Sequence, residues 1–361
     1  MRCILHTPLH STIRSTFNVR RRRRTIPLPP FLPSSTGAGK KMTSISRNES
    51  SSSRSLPAAA IPANPDYDSI PAFHDRLARS SRILAVCGAG LSAASGLPTF
   101  RGAGGLWRDF EATALATPEA FEADPGLVWL FYGYRRHMAL QVKPNAGHYA
   151  LAALAKKNPD FLCLSQNVDN LHPRASHPAS QLRLLHGNLF SVKCSSRSCT
   201  WVDPLNLSDP LFPALAPASC SASPAEMARL LDPSHPLPRI DREDIPKCPR
   251  CKTGLQRPGV VWFGEGLDRD MLGELERWMR EKVVDMVLVV GTSGVVWPAA
   301  GFAEQARTPG KTSVVTINLD ADQPETLARL KKEDFAFAGS AADLLPKLLE
   351  PVIGKLEESG A

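Results

Sequence analysis

Four short apolar runs, each stopping abruptly at a glycine or a polar group, constrain this chain more than any other feature. "ILAVC" (83–87) runs into "GAG", "FLCLS" (161–165) into "QNVDN", "LRLL" (182–185) into "HG", and "VDMVLVV" (284–290) into "GTSG". Apolar runs of this length read as strands of a parallel sheet covered on both faces. All strands of such a sheet end on one side, which is where open α/β sheets take their ligands. Gly88, Gln166, His186 and Gly291 are therefore predicted to converge. Helical segments alternate with the runs. "IPAFHDRLARSSR" has helical spacing at Phe73, Leu77 and Ala78; Thr117 before Pro118 and Asp124 before Pro125 start two short helices; "NAGHYALAALAKKN", "RDMLGELERWMREK", "PAAGFAEQAR" and "SAADLLPKLLEPVIGKL" supply more, and "TSVVTINLD" is a further strand. The fold class predicted is α/β, a Rossmann-like doubly wound parallel sheet.

Gly88 and Gly90 permit a tight reversal that brings backbone amides near a pyrophosphate, at the N-terminus of the helix that follows. The fingerprint is incomplete: Ala93 stands where a third glycine would fall. Taken alone, "GAG" after a strand also fits a plain tight turn.

Between residues 193 and 258 the composition changes. Two cysteine pairs, Cys194 with Cys199 and Cys248 with Cys251, bracket a proline-rich stretch over 203–246. Four thiolates on two short knuckles suit one tetrahedral Zn²⁺ with no open position, hence a structural ion. The spacing of 48 residues between the pairs exceeds that of an ordinary ribbon, and "CPRC" alone also fits a redox pair. The organisation expected is a disordered leader (1–68), a first Rossmann-like part with a helical insertion (69–192), a small zinc module (193–258) and a second Rossmann-like part (259–361).

Charge is concentrated in the leader. The chain carries 43 Lys and Arg against 35 Asp and Glu, and ten of those cations lie in residues 1–48, which hold no acid. The remainder is close to neutral, which argues against a nucleic-acid-binding body. An Arg-, Ser- and Pro-rich, acid-free leader without an apolar core suits a mitochondrial transit peptide. A nuclear localisation patch, or initiation at Met42 with a cytoplasmic product, are the competing readings. No apolar run reaches the length of a membrane span, so no membrane partner is expected.

"SQNVDNLH" closes its strand with a polar cluster in which Gln166, Asn167 and Asp169 suit ribose hydroxyls or a cationic ring, although an Asx-turn loop would use the same residues. His172 reads as a structural, hydrogen-bonding histidine. His186, before Gly187, has the side chain whose ordinary pKa suits a general base near neutrality.

Together these segments resemble the sirtuins, NAD-dependent protein-lysine deacylases. "GAGLSAASGLPTFRG", "QNVDNLH", "HG", the cysteine pairs, "RPGVVWFGE", "GTSGVVWPA" and "INLD" stand in that family's order from Gly88 to Asp320. The resemblance implies that Gly88, Ala89, Gly90, Thr99, Phe100 and Arg101 wrap the pyrophosphate and nicotinamide ribose. Gln166, Asn167 and Asp169 would meet that ribose and the nicotinamide pocket. Gly291, Thr292, Ser293, Asn318 and the backbone of Ala341 would hold the adenosine half. His186 would be the general base. Val261 and Phe263 would line an acyl-lysine tunnel, with Gly264 and Glu265 pairing by backbone with the substrate peptide. The resemblance also implies NAD as a consumed co-substrate, one structural Zn²⁺, acylated-lysine proteins as substrates, and nicotinamide and O-acyl-ADP-ribose as products.

"FYGYRR", with "GAGGLWR" and Ala112, resembles the class III branch that removes succinyl, malonyl and glutaryl groups, its Tyr-x-x-Arg falling on Tyr132 and Arg135. The long proline-rich insert and the four residues inside the first cysteine pair depart from that family's pattern. Deacetylation or mono-ADP-ribosyl transfer on the same fold is the alternative. A hydride-transferring dehydrogenase would need an acidic ribose ligand about 20 residues past the glycines, and no persuasive strand end supplies one. A non-catalytic zinc-ribbon scaffold for partners or DNA is a second rival, and the near-neutral body argues against DNA.

Overall fold

The computed structural model describes residues 62–99, 106–292, 294, 296 and 298–356. The leader expected over 1–68 falls almost wholly outside them, as do Phe100, Arg101 and Ser293. Among the described residues eleven strands follow in chain order: β1 (Ile83–Cys87), β2 (Leu106–Trp107), β3 (Phe110–Glu111), β4 (Phe161–Ser165), β5 (Leu182–Leu184), β6 (Gly187–Cys194), β7 (Val202–Asp203), β8 (Gln256–Val260), β9 (Met286–Val290), β10 (Ser313–Asn318) and β11 (Phe335–Ala338).

Six of them form one sheet in the order β11-β10-β9-β1-β4-β5, every pair parallel. The chain fills the sheet outward from β1 through β4 to β5, then returns to β9 on the other side of β1. That reversal between β1 and β9 is the switch point at which doubly wound sheets open a crevice. Alternation along β1 divides the core. Ile83, Ala85 and Cys87 join one buried cluster with the helices Ala146–Lys157 and Ala341–Ile353, while Leu84 and Val86 join another with Leu275 of the helix Arg269–Glu281. Both faces are thus covered, as the continuous apolar runs require.

A second sheet is antiparallel and has the order β7-β6-β8, and β2 with β3 forms a short hairpin. "RPGV" therefore belongs to the small sheet, and the α/β alternation resumes only with the helix Arg269–Glu281.

Both proposed helix starts are present: Thr117 accepts the Ala120 amide and Asp124 accepts the Leu127 amide. Only the first helix is short, however. The second runs 17 residues, Pro125–Gln141, because ten of its residues are buried between the small sheet and the proline-rich segment. Trp129 meets Phe212 edge-on at 5.5 Å, and buried Arg136 donates to the carbonyls of Leu189, Asn206 and Ser208. The insert is thereby a packing partner of this helix.

Candidate active site

Over the carboxyl ends of the parallel strands lies a cavity of about 850 Å³. Gly88, Gln166, His186 and Gly291 all reach its wall, as the four strand ends predict. Between β1 and β9 the two glycine loops lock together. The Gly88 amide donates to the Val290 carbonyl and the Gly90 amide to the Gly291 carbonyl, each at 2.8 Å. A Cβ on Gly90 would stand 2.8 Å from the Gly291 Cα, so this approach demands glycine. The Leu91 amide is also bonded, to the Gly88 carbonyl. The loop therefore offers an anion close backbone approach more than a row of unused amides.

Ser92, one residue before Ala93, joins two of the strand-end loops. Its Oγ donates to Asp169 Oδ2 at 2.6 Å and accepts from Asn167 Nδ2 at 3.1 Å, and Asn167 Nδ2 also reaches the Gly88 carbonyl. A hydroxyl here ties the β1 loop to the β4 loop, which a glycine could not do. Gln166 Nε2 donates to Thr292 Oγ1, and Asn318 Nδ2 to the Thr292 carbonyl, so the loops after β4, β9 and β10 are joined as well. Ala89, Thr99 and Ala341 complete this end of the wall.

His186 follows β5 and is half-buried. Its Nδ1 lies 2.9 Å from the Gln166 carbonyl oxygen, which can only accept, so Nδ1 carries the proton and Nε2 keeps its lone pair. Burial holds the pKa below the ordinary imidazole value, with the Gln166 bond opposing the shift. The neutral, base-competent form is thus favoured at neutral pH. The His186 carbonyl accepts the Val261 amide at 2.8 Å, which fixes the backbone from the other side.

Beyond His186 the cavity reaches the long helix, where Tyr132 and Arg135, three residues apart, face it together. Arg136, one position on, points into the insert instead. Burial pushes the Tyr132 hydroxyl up to about 12, keeping it a neutral donor, and its oxygen accepts from Trp262 Nε1 at 3.0 Å. Burial lowers Arg135 to about 10, with Tyr132 and Asp169 opposing, so the guanidinium stays charged at neutral pH. Behind them Arg257 stacks 3.3 Å from the Trp262 ring centroid and forms a bidentate pair with Glu265 at 2.7 and 2.9 Å.

Val261, Phe263, Gly264 and Glu265 line the wall, with Phe263 exposed at the mouth. One of the expected backbone contacts is narrowed. The Glu265 amide is bonded to the Trp262 carbonyl, so of its two backbone groups only the carbonyl is left for a peptide, and its side chain serves Arg257; the Phe263 amide is bonded to the Ala116 carbonyl. Ala112 is buried but does not reach the wall; Thr113 and Ala116 of the same turn do. Ser92, Trp262 and Arg257 were not anticipated as site residues. All three stand in motifs already noted, Ser92 in "GAGLSAASGLPTFRG" and Arg257 and Trp262 in "RPGVVWFGE".

Away from the cavity, the Sγ atoms of Cys194, Cys199, Cys248 and Cys251 lie within 4.8 Å of one another, with Cys194 to Cys251 at 3.6 Å and Cys199 to Cys248 at 3.8 Å. Zinc–sulfur bonds of ~2.3 Å in a tetrahedron require sulfurs ~3.8 Å apart, so the four thiols fit Zn²⁺. The Ser196 and Gly254 amides point at Cys194 and Cys251 sulfurs at 3.4 Å, as knuckle turns do.

A doubly wound sheet with a polar cleft at its switch point and a four-cysteine knuckle beside it defines an α/β nucleotide-cleft protein with a structural-metal module. The chain belongs to the Sir2 family, whose model matches residues 88–298. It is 42% identical over 303 residues to an NAD-dependent protein deacylase of Candida albicans, covering 79% of this chain and 98% of that one. It is 40% identical over 307 residues to the "NAD-dependent protein deacylase sirtuin-5, mitochondrial" of Canis lupus familiaris, covering 84% of this chain and 90% of that one. Among solved structures, a Sir2 homologue in complex with NAD superimposes with a TM-score of 0.60 at 32% identity, covering 78% of this chain and 93% of that one.

Proposed function

We infer that this protein is an NAD-dependent protein deacylase and propose that it prefers lysines bearing acidic acyl groups, succinyl, malonyl or glutaryl. The enzyme class rests on the family and on relatives named for that activity. A cavity of about 850 Å³ is within the range that takes cofactor-sized ligands, and its glycine walls permit close approach of a pyrophosphate. When bound, NAD supplies an activated ribose carbon from which nicotinamide departs. Gly88, Ala89, Gly90 and Thr99 are proposed to hold its central part, Gln166, Asn167 and Asp169 the nicotinamide end, and Gly291, Thr292, Asn318 and Ala341 the adenosine end. Phe100, Arg101 and Ser293 are carried over from the resemblance alone. His186 takes a proton at Nε2.

The observation that carries the acyl preference is the placement of Tyr132 and Arg135 on the wall of the cavity that holds His186. A terminal carboxylate brought there uncompensated would be costly to bury. A charged guanidinium beside a neutral phenol answers it. The test is a panel of acetyl-, succinyl-, malonyl- and glutaryl-lysine peptides with NAD, reading nicotinamide release. The acidic acyl groups are expected to lead, and an acetyl preference would leave a deacetylase on the same fold.

The small module over 193–258 is supported by its own antiparallel sheet and its cysteine cluster. Mitochondrial residence is supported by the acid-free leader and by the names of the sirtuin-5 relatives. No described helix is long and apolar enough to cross a membrane. A reporter fused to the first 70 residues tests the address.

A further inference from the structure

A second cluster of soft ligands lies beneath the cofactor loops, and the deacylase chemistry makes no use of it. Cys87 ends β1 directly before Gly88, and Cys163 lies in the middle of β4; both are fully buried, with their Sγ atoms 3.8 Å apart. His172 stands on the short helix Leu171–Arg174, in the "DNLH" segment that follows Asp169. It is 1% exposed, and no oxygen or nitrogen reaches either ring nitrogen at hydrogen-bonding geometry; its polar neighbour is the Cys87 thiol, so the hydrogen-bonding role expected for it falls to a weak sulfur partner. A thiol compensates poorly for the water that a buried imidazole has given up. One ring nitrogen of His172 and both sulfurs lie within 4.8 Å of one another. The neighbouring His148 adds no ligand: its Nδ1 accepts the Asn145 amide, so its Nε2 carries hydrogen.

We propose that Cys87, Cys163 and His172 form a second zinc site, with two thiolates, one neutral imidazole and one position left for a small exogenous ligand. The sulfur separation matches the ~3.8 Å edge of a tetrahedral zinc–thiolate shell, and this soft donor set disfavours Mg²⁺ and Ca²⁺. On binding, Zn²⁺ displaces the two thiol protons, which leave to solvent, and no electrons are transferred. An ion here cross-links the loop that begins at Gly88 to the loop that carries Asn167 and Asp169.

The full chain would be equilibrated with buffered free Zn²⁺, desalted and assayed for zinc per protein. Two ions are expected in wild type and one in Cys163→Ala, which replaces a buried thiol with a small apolar group. A single ion in saturated wild type overturns the site, as does a second ion that survives in Cys163→Ala, since that ion would be bound elsewhere. Should the variant not fold, zinc X-ray absorption of wild type decides. Filling the second site should lower the mean sulfur count per zinc from about four to about three, and an unchanged count overturns the proposal.

Discussion

The six-stranded and three-stranded sheets are held together by different physics. Every residue of β1 and β4 is buried, and clusters of apolar side chains cover both faces of the large sheet. In the small sheet, only half of the residues of β6 are buried, β7 has two residues, and Val202 on it is 51% exposed. Its apolar side rests on the helix Pro125–Gln141 while its far end is gathered by four cysteines. A sheet with one apolar face and so few residues gains little from burial, and a metal clip makes up the difference. The large sheet is covered by apolar side chains on both faces. The catalytic candidates lie where the two meet, with His186 between the last residues of β5 and the first of β6.

The sharpest way to break this contrast is to remove the clip. Structural zinc in small domains is worth up to ~10–16 kcal/mol of apparent binding free energy. Chelation, or Cys248→Ser, is expected to expose the amides of β6 and β8 to hydrogen exchange while β1, β4 and β9 stay protected, with activity lost as a consequence. Uniform deprotection of both sheets would mean they form one cooperative unit.

At the junction, His186→Ala is expected to cut turnover ~10²- to 10⁴-fold, the usual cost of losing a general base. NAD binding, measured by calorimetry, should persist. Arg135→Met tests the far wall of the cavity. Losing a charge-assisted bond worth ~1.5–3 kcal/mol should lower kcat/KM for succinyl-lysine about tenfold or more while leaving acetyl-lysine nearly unchanged. Equal losses on both peptides would assign Arg135 to the fold. A smaller and equally selective effect is expected of Trp262→Phe, which removes the donor to the Tyr132 hydroxyl, a neutral bond worth ~1 kcal/mol.

The mildest effect is on the pH profile. Because burial lowers the His186 pKa, its neutral form survives as the pH falls below the free-imidazole value of 6.5. The acidic limb of kcat/KM should therefore lie below that value. A limb above it would show a histidine stabilised in its charged form, contrary to its burial and to the tautomer set by Gln166.

Much of the large sheet and its ligand edge was legible in the order of residues. Continuous apolar runs state that a strand is covered on both faces, and the polar residue that ends each run marks the edge where the cover stops. Thr117 and Asp124 were legible as helix caps because a cap bonds to an amide three residues away. Chain order alone set Cys194, Cys199, Cys248 and Cys251 apart as two pairs. Three-dimensional packing decided the rest. The length of the helix Pro125–Gln141 depends on apolar partners 70 or more residues distant, and the short strand β11 exists only because β10 is there to pair with it. Trp262 bonds to Tyr132 across 130 positions. Ala112 falls behind the cavity wall while Thr113 reaches it, a difference set by how one turn packs. The placing of His172 beside two buried thiols could not be read from "DNLH" either. Periodicity and capping are local and survive in one dimension, whereas a contact between distant residues is chosen only when the whole core closes.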